Sequence, residues 1–163
     1  MKVDYQSLSE MVVKQIHNAS KRYHQLVLIV VPYDLETTDF LAELSEKRQY
    51  PCINVNLTLS QALLDYSIRE RIAKAIPILE EFVSQDKVEA ILLDNIEILF
   101  EPSLKQDPLR CLEQLSRNQT IVANWRGIYS NGTLTYSEPG HPEYKYYSDV
   151  DALVVDLTQE SIF

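Results

Sequence analysis

The sequence predicts an α/β fold: a three-layer sandwich on a mostly parallel sheet of about five strands. Three observations predict it. Apolar runs of strand length recur along the chain, as expected of strands buried on both faces of a parallel sheet. Segments with helical hydrophobic spacing separate these runs. Each run carries a polar residue at or shortly after its end, and sheets of this class carry their sites beyond the carboxyl ends of their strands.

The first elements follow from periodicity and from proline. Apolar residues recur at helical spacing between about residues 5 and 22, which predicts an amphipathic helix. Leu26 to Val31 is a continuous apolar run ended by Pro32, which predicts the first buried strand. A second helix is predicted next, and its apolar face carries Phe40, Leu41 and Leu44.

The middle of the chain predicts two more strands around a long helix. CINVN (residues 52–56) follows a proline and predicts a short second strand. A helical stripe then carries Ile68, Ile72, Ile76, Leu79 and Val83, and Pro77 is expected to break or kink it. VEAILLD (residues 88–94) predicts a third buried strand that ends in an acid.

The last third of the chain supplies a capped helix and the remaining strands. Asp107 followed by Pro108 predicts a helix start, with Leu109, Leu112 and Leu115 facing inward. TIVANW (residues 120–125) predicts strand four, and IYSNGTLTY (residues 128–136) a hairpin around an Asn-Gly turn. ALVVD (residues 152–156) predicts the final strand. The predicted strand ends carry Asp34, Asn56, Asp94, Asn124 and Asp156.

Composition bounds the class of protein. A chain of 163 residues that is 45% hydrophobic can bury one core, so residues 1–163 are expected to form a single domain. No apolar run reaches membrane-spanning length and no leader pattern is present, which predicts a cytoplasmic protein without membrane contact. Cys52 and Cys111 lie in apolar segments, which predicts reduced core thiols. The net charge of −9 opposes direct binding of DNA, so DNA contact is expected only through partners.

The turn after the first strand lacks the residues of a phosphate-binding loop. Such a loop reads G-x-x-x-x-G-K-[ST], where the glycines let backbone amides surround the phosphates and the lysine supplies charge. The corresponding residues here are VPYDLETT (residues 31–38). Val31 and Glu36 replace the glycines, Thr37 replaces the lysine, and only Thr38 matches. All three glycines of the chain lie far downstream, so no shift of register restores the loop.

Acidic residues cluster at the same turn. Asp34, Glu36 and Asp39 surround the start of the second helix, where each acid stabilises the helix by roughly 0.3–1 kcal/mol. The same acids repel a phosphate, since like charges about 4 Å apart cost on the order of 4 kcal/mol at an effective dielectric near 20. We therefore expect the turn to close its own helix with carboxylates and to bind no cofactor.

The third strand keeps one half of a nucleotide-site pattern. AILLDN places Asp94 where an apolar strand of a P-loop protein ends in the aspartate that holds magnesium. Asn95 stands where hydrolysing proteins carry an acid, and an amide cannot act as a general base at neutral pH. The alternative for Asp94 is a capped strand end that accepts a hydrogen bond from Thr38. Glu97 and Glu101 lie nearby, although their spacing does not select a metal cluster over a solvated loop.

Two long segments carry a resemblance to a known family. LLDNIEILFEPSLKQDPLRCLEQLSRNQTIVANW (residues 92–125) and LTYSEPGHPEYKYY (residues 134–147) closely resemble the BrxF family of type III BREX phage-defence systems. The resemblance implies a P-loop NTPase-like fold with Asp94 at the magnesium position, Thr38 at the hydroxyl position and Asn124 as a polar sensor. The chain departs from that family at Val31, Glu36 and Thr37.

The resemblance and these departures together predict a non-catalytic subunit of a BREX-type complex that acts through protein contacts and is not an enzyme. The alternative is an Mg-ATP-binding or weak ATPase component whose site a partner subunit completes. Implied partners are other BREX subunits, such as the large AAA-type ATPase, the DNA methyltransferase or the phosphatase-like protein. A homo-oligomer stays open.

Two segments are candidates for the contact surface. They are the loop at residues 96–108 and the tyrosine-rich segment at residues 129–147, since tyrosine is enriched at interfaces. The alternative for either is a loop folded back over its own sheet edge. The candidate contact residues are Phe100, Lys105, Tyr129, Tyr136, His141 and Tyr144.

Overall fold

The computed structural model describes residues 4–33, 35, 37–85 and 87–158, and the elements below lie within them. The helices are α1 (Tyr5–Ala19), α2 (Thr38–Arg48), α3 (Val55–Ala62), α4 (Ile68–Val83) and α5 (Pro108–Leu115), and two short 3₁₀ helices span Glu97–Phe100 and Pro102–Leu104. The strands are β1 (Leu26–Val31), β2 (Cys52–Asn54), β3 (Ile91–Asp94), β4 (Ile121–Arg126), β5 (Ile128–Ser130), β6 (Thr133–Tyr136), β7 (Lys145–Tyr147) and β8 (Leu153–Asp156).

The central sheet confirms the predicted α/β architecture. Its five strands run in the order β2-β3-β4-β1-β8, and all neighbouring pairs are parallel. β1 lies between β4 and β8, with Ile29 paired to Asn124 and Val30 paired to Asp156. Because the strands are parallel, their carboxyl ends meet at one edge of the sheet. The start of α2 lies at that edge, directly after the turn that follows β1.

Helices cover both faces of this sheet and form two separate cores. On one face, Val27, Ile29 and Val31 pack with apolar residues of α1 and α2. On the other face, Leu26, Leu28 and Val30 pack with residues of α3, α4 and α5. The alternation along β1 has period two, as a strand buried on both faces requires. The result is the predicted three-layer sandwich. Among the described residues, no helix is both long and apolar enough to cross a membrane.

A second sheet follows β4. β5, β6 and β7 form an antiparallel sheet in that order, of which the sequence predicted only the β5–β6 hairpin. The hairpin turns at Asn131 (φ 52°) and Gly132 (φ 76°), the left-handed pair typical of a two-residue turn. A Cβ atom on Gly127 would lie 2.0 Å from the carbonyl oxygen of Thr135, so this position requires glycine. The second sheet is thereby held close to the end of β4.

Several sequence predictions about single elements are wrong. β2 ends at Asn54, because the Asn54 side chain accepts a hydrogen bond from the amide of Leu57 and caps α3. Asn56 therefore lies inside α3 and not at a strand end. β2 is a partly exposed edge strand, so Cys52 is exposed and is not a core thiol, whereas Cys111 is buried as predicted.

The helix α4 also differs from its prediction. The predicted break at Pro77 does not occur: α4 continues through the proline as one helix, and the packing of its apolar face in the core offsets the hydrogen bond that the proline cannot donate. Ser67 and Glu70 form a capping box at its start. The buried residues are Ala75, Leu79 and Val83, and Ile68 is 67% exposed. Only part of the predicted stripe therefore faces the core.

Candidate functional site

Thr38, Asp94 and Asn124 come together at the carboxyl edge of the central sheet. Asp94 is the last residue of β3, Asn124 lies in the neighbouring strand β4, and Thr38 is the first residue of α2. The Thr38 hydroxyl donates to Asp94 Oδ2 at 3.1 Å, which is the hydrogen bond predicted for a capped strand end. Asn124 Nδ2 donates to Asp94 Oδ1 at 3.3 Å. The parallel order of the strands thus places three sequence-distant side chains in one cluster.

The protein itself supplies several donors to the Asp94 carboxylate. Besides the two side chains, the backbone amide of Asn95 donates to Asp94 Oδ1 at 2.9 Å. Asn95 has φ 52°, a left-handed conformation that asparagine tolerates better than most residues. Asp94 is only 8% exposed. A buried carboxylate costs free energy unless it is hydrogen-bonded, and these donors offset that cost.

Asn124 connects the cluster to the turn before α2. Its amide nitrogen donates to the Thr37 hydroxyl at 2.7 Å as well as to Asp94. Thr37 is 1% exposed, so the residue at the lysine position of a P-loop is buried against β4. The remaining atom, Asn124 Oδ1, is buried and has no hydrogen-bond partner in the described part of the chain.

Arg126, at the end of β4, holds the turn between β1 and α2. Its Nη1 donates to the carbonyl oxygen of Leu35 at 3.0 Å and to that of Tyr33 at 3.3 Å. Its Nε lies 3.7 Å from a carboxylate oxygen of Glu97. Arg126 is not among the predicted site residues, although an arginine directly after a predicted buried strand, at the edge that carries the site, is a usable signal.

Several backbone groups of this turn are hydrogen-bonded within the protein. The amide of Leu35 donates to the carbonyl of Pro32 at 3.1 Å, and the carbonyl of Val31 accepts from the amide of Gly127 at 3.1 Å. A phosphate loop instead directs its amides at the ligand. Asp34 and Glu36 lie outside the described residues, so their predicted role stays a prediction. Asp39 lies in the first turn of α2, as predicted.

The described residues of the turn do not fit a bound triphosphate. Asp94 and Thr38 are the carboxylate and the hydroxyl that hold magnesium in a P-loop protein, and here they hydrogen-bond to each other, but the position of the phosphate-binding lysine holds a buried threonine. No cluster of three or more His, Cys, Asp or Glu residues suited to a metal ion occurs among the residues described. The carbonyls that face Arg126 have the wrong polarity for a phosphate.

The candidate contact loop is folded back against the protein. Phe100 is 2% exposed and stacks on Tyr136, with ring centroids 3.6 Å apart, and it meets Trp125 edge-on. The prediction of Phe100 as a contact residue is therefore wrong. The loop covers the core of its own protein, which was the alternative to a contact surface. Lys105 in the same loop is exposed.

The tyrosine-rich segment divides between two faces of the second sheet. Tyr129 and Tyr136 lie on the face that packs against the core, because side chains alternate along a strand. Burial raises the pKa of Tyr136 to about 12, with the carboxylates of Glu143 and Glu97 adding to the effect. His141 is exposed and Tyr144 is half-buried.

The opposite face of this sheet carries exposed side chains that are not among the candidate contact residues, although Tyr146 lies in the predicted segment. Ile128 pairs with Thr135, and Thr135 pairs with Tyr146, so the three side chains form a row across the sheet. Ile128 is 56% exposed and Tyr146 is 60% exposed. We call Ile128, Thr135 and Tyr146 the outer row.

Tyr147, on the inner face, ties the second sheet to α5. Its hydroxyl donates to Asp107 Oδ1 at 2.6 Å, and it accepts from the amide of Leu109 at 3.5 Å. Burial, together with this bond to Asp107, raises the pKa of Tyr147. The helix start predicted at Asp107 and Pro108 is confirmed, and it also anchors the second sheet.

Comparisons with protein-family models, with curated proteins and with solved structures find no match for this chain.

Proposed function

We propose that this chain is a non-catalytic, P-loop-like subunit of a BREX-type antiphage defence complex and that it acts through protein contacts. The observation that carries the non-catalytic part is the turn after β1. There Arg126 binds the carbonyls of Tyr33 and Leu35, at the place where a phosphate would need free amides and a lysine. The membership in a defence complex is supported by the resemblance of residues 92–125 and 134–147 to the BrxF family.

The outer row supports the second part of the proposal, action through a protein partner. Ile128 and Tyr146 expose apolar surface on a face that no described element covers. Aromatic and apolar side chains of this kind form the centres of protein interfaces. The net charge of −9 disfavours a nucleic-acid partner, since phosphate contacts require lysine and arginine. Other subunits of the same system are therefore the proposed partners.

One observation favours the alternative, an ATP-binding component completed by a partner. Thr38 and Asp94 keep the hydroxyl and carboxylate positions of a nucleotide site, and Thr38 Oγ1 lies 3.1 Å from Asp94 Oδ2. Beside them, Asn124 Oδ1 has no hydrogen-bond partner among the residues that the structure describes. In this alternative, a neighbouring subunit supplies the missing positive charge and displaces Arg126 from the turn.

Two measurements separate these functions. Isothermal titration of the chain with Mg-ATP, alone and with co-expressed BREX subunits, is expected to give no heat of binding in either case. Micromolar affinity in the presence of a subunit would select the alternative. Co-purification tests the contact surface: Ile128→Ser with Tyr146→Ser should release a BREX subunit that the wild type retains.

Leu64→Ser is the matched control for that experiment. Leu64 is 71% exposed and lies between α3 and α4, away from the second sheet. It should leave retention unchanged. If no BREX subunit is retained by the wild type, or if the control releases the subunit equally, the proposed interface is wrong.

A further inference from the structure

The turn after β1 and the second sheet are joined by contacts from several directions. The backbone amide of Gly127, which links β4 to β5, donates to the carbonyl of Val31. Arg126, one residue earlier, binds the carbonyls of Tyr33 and Leu35. The hydroxyl of Tyr33 in turn accepts a hydrogen bond from the amide of Ser137, just after β6, at 2.5 Å.

These contacts form a closed circuit. Arg126, which binds the turn, is the last residue of β4, and Gly127 connects β4 to the second sheet. The Ser137 amide, just after β6 of that sheet, donates to the hydroxyl of Tyr33 in the turn and so closes the loop of contacts. Ser137 has φ 65°, a left-handed conformation that costs free energy for a residue with a side chain. The bond to Tyr33 therefore helps hold an unfavourable backbone in place.

The contacts of this circuit depend on one another. Tyr33 is 54% exposed, so its hydroxyl bond to Ser137 is accessible to water and individually weak. The Phe100–Tyr136 stack fixes β6 to the loop that carries Glu97, and Glu97 faces Arg126 at 3.7 Å. A displacement of the second sheet thus alters the surroundings of Arg126 and of Tyr33 together.

We propose that Arg126 and Tyr33 form a latch that couples the second sheet to the turn after β1, so that the turn loosens only when the second sheet moves. This inference rests on the closed turn of the proposed function and adds a way to control it. The outer row lies on the second sheet, which the latch connects to the turn. Binding of a partner to the outer row would therefore change the turn at the sheet edge that carries Asp94. Energetic coupling of this kind is a difference between two states of one element, and it must be reciprocal.

Hydrogen exchange of two amides tests the coupling. The Leu35 amide is bonded to the Pro32 carbonyl and the Ser137 amide to the Tyr33 hydroxyl, so each is a local probe. Arg126→Ala touches neither amide directly, yet it is expected to speed exchange at Ser137 by about tenfold. Tyr33→Phe removes only an oxygen atom and is expected to speed exchange at Leu35 by a similar factor. Both factors correspond to ordinary coupling energies between neighbouring sites.

Arg117→Ala is the matched control, since Arg117 lies before β4, over the ring of Tyr23 at 5.4 Å, at the opposite end of the sheet. It should leave both amides unchanged. Unchanged exchange at Leu35 in Tyr33→Phe, a variant conservative enough to fold, overturns the latch. So does unchanged exchange at Ser137 in folded Arg126→Ala. Either result leaves the proposed function standing, because that proposal fails instead on nucleotide binding by the wild-type chain with its partners.

Discussion

Replacing Asp94 with alanine should destabilise the protein and should not remove an ATPase activity. The change removes the shared acceptor of the Thr38 hydroxyl, the Asn124 amide and the Asn95 backbone amide. Hydrogen bonds to a charged acceptor contribute roughly 1.5–3 kcal/mol each. The removal of a carboxylate that is only 8% exposed offsets part of this loss, since burying it is costly. We expect a decrease of about 3 kcal/mol in the free energy of unfolding.

Urea unfolding followed by circular dichroism measures this decrease. Asp94→Asn keeps the shape and one acceptor oxygen, so it should lose about half as much. Asp65→Ala, at an exposed acid, should stay within about 0.5 kcal/mol of the wild type. The reasoning is refuted if Asp94→Ala unfolds like the wild type, or if a normally folded Asp94→Ala loses an ATPase activity that the wild type has.

Three further predictions concern other parts of the molecule. Phe100→Ala should cost roughly 3–5 kcal/mol in urea unfolding, because it leaves a cavity beside its stacked neighbours, whereas the exposed Lys105→Ala should cost less than about 0.5 kcal/mol. Thr37→Lys should give no Mg-ATP binding by isothermal titration, because the turn remains held by its own arginine. Asp151→Asn should lose stability at neutral pH but little at low pH: the hydrogen bond from His24 and the guanidinium of Arg22 hold the pKa of Asp151 below its ordinary value of 3.8.

The sign of the last effect follows from that lowered pKa. A carboxyl group whose pKa is lower in the folded state stabilises it above the unfolded pKa, and this contribution is lost as pH falls through the folded value. Unfolding curves between pH 2 and pH 7 should therefore converge for wild type and Asp151→Asn at the acid end. A constant difference across this range contradicts the assignment. The Phe100 prediction is contradicted if Phe100→Ala lowers the free energy of unfolding no more than Lys105→Ala. The Thr37 prediction is contradicted if a folded Thr37→Lys variant binds Mg-ATP with micromolar affinity.

Local patterns were enough to predict the layers and the order of most elements. The apolar run at residues 26–31 and the helix start at Asp107 appear where the sequence places them, because burial on two faces and helix capping depend on neighbouring residues. The prediction of the edge strand β2 was wrong because its pattern is too short. Three residues do not show where the strand ends and the cap of the next helix begins.

The candidate site divides in the same way. The sequence alone determined that the turn after β1 has neither glycine nor lysine, and that Asp94 ends an apolar strand. Only the tertiary structure decided that Thr38, Asp94 and Asn124 meet, that Arg126 reaches over the turn and that Phe100 is buried. The reason is physical: strand order and the packing of the second sheet join residues far apart in the chain, and no local periodicity encodes such contacts.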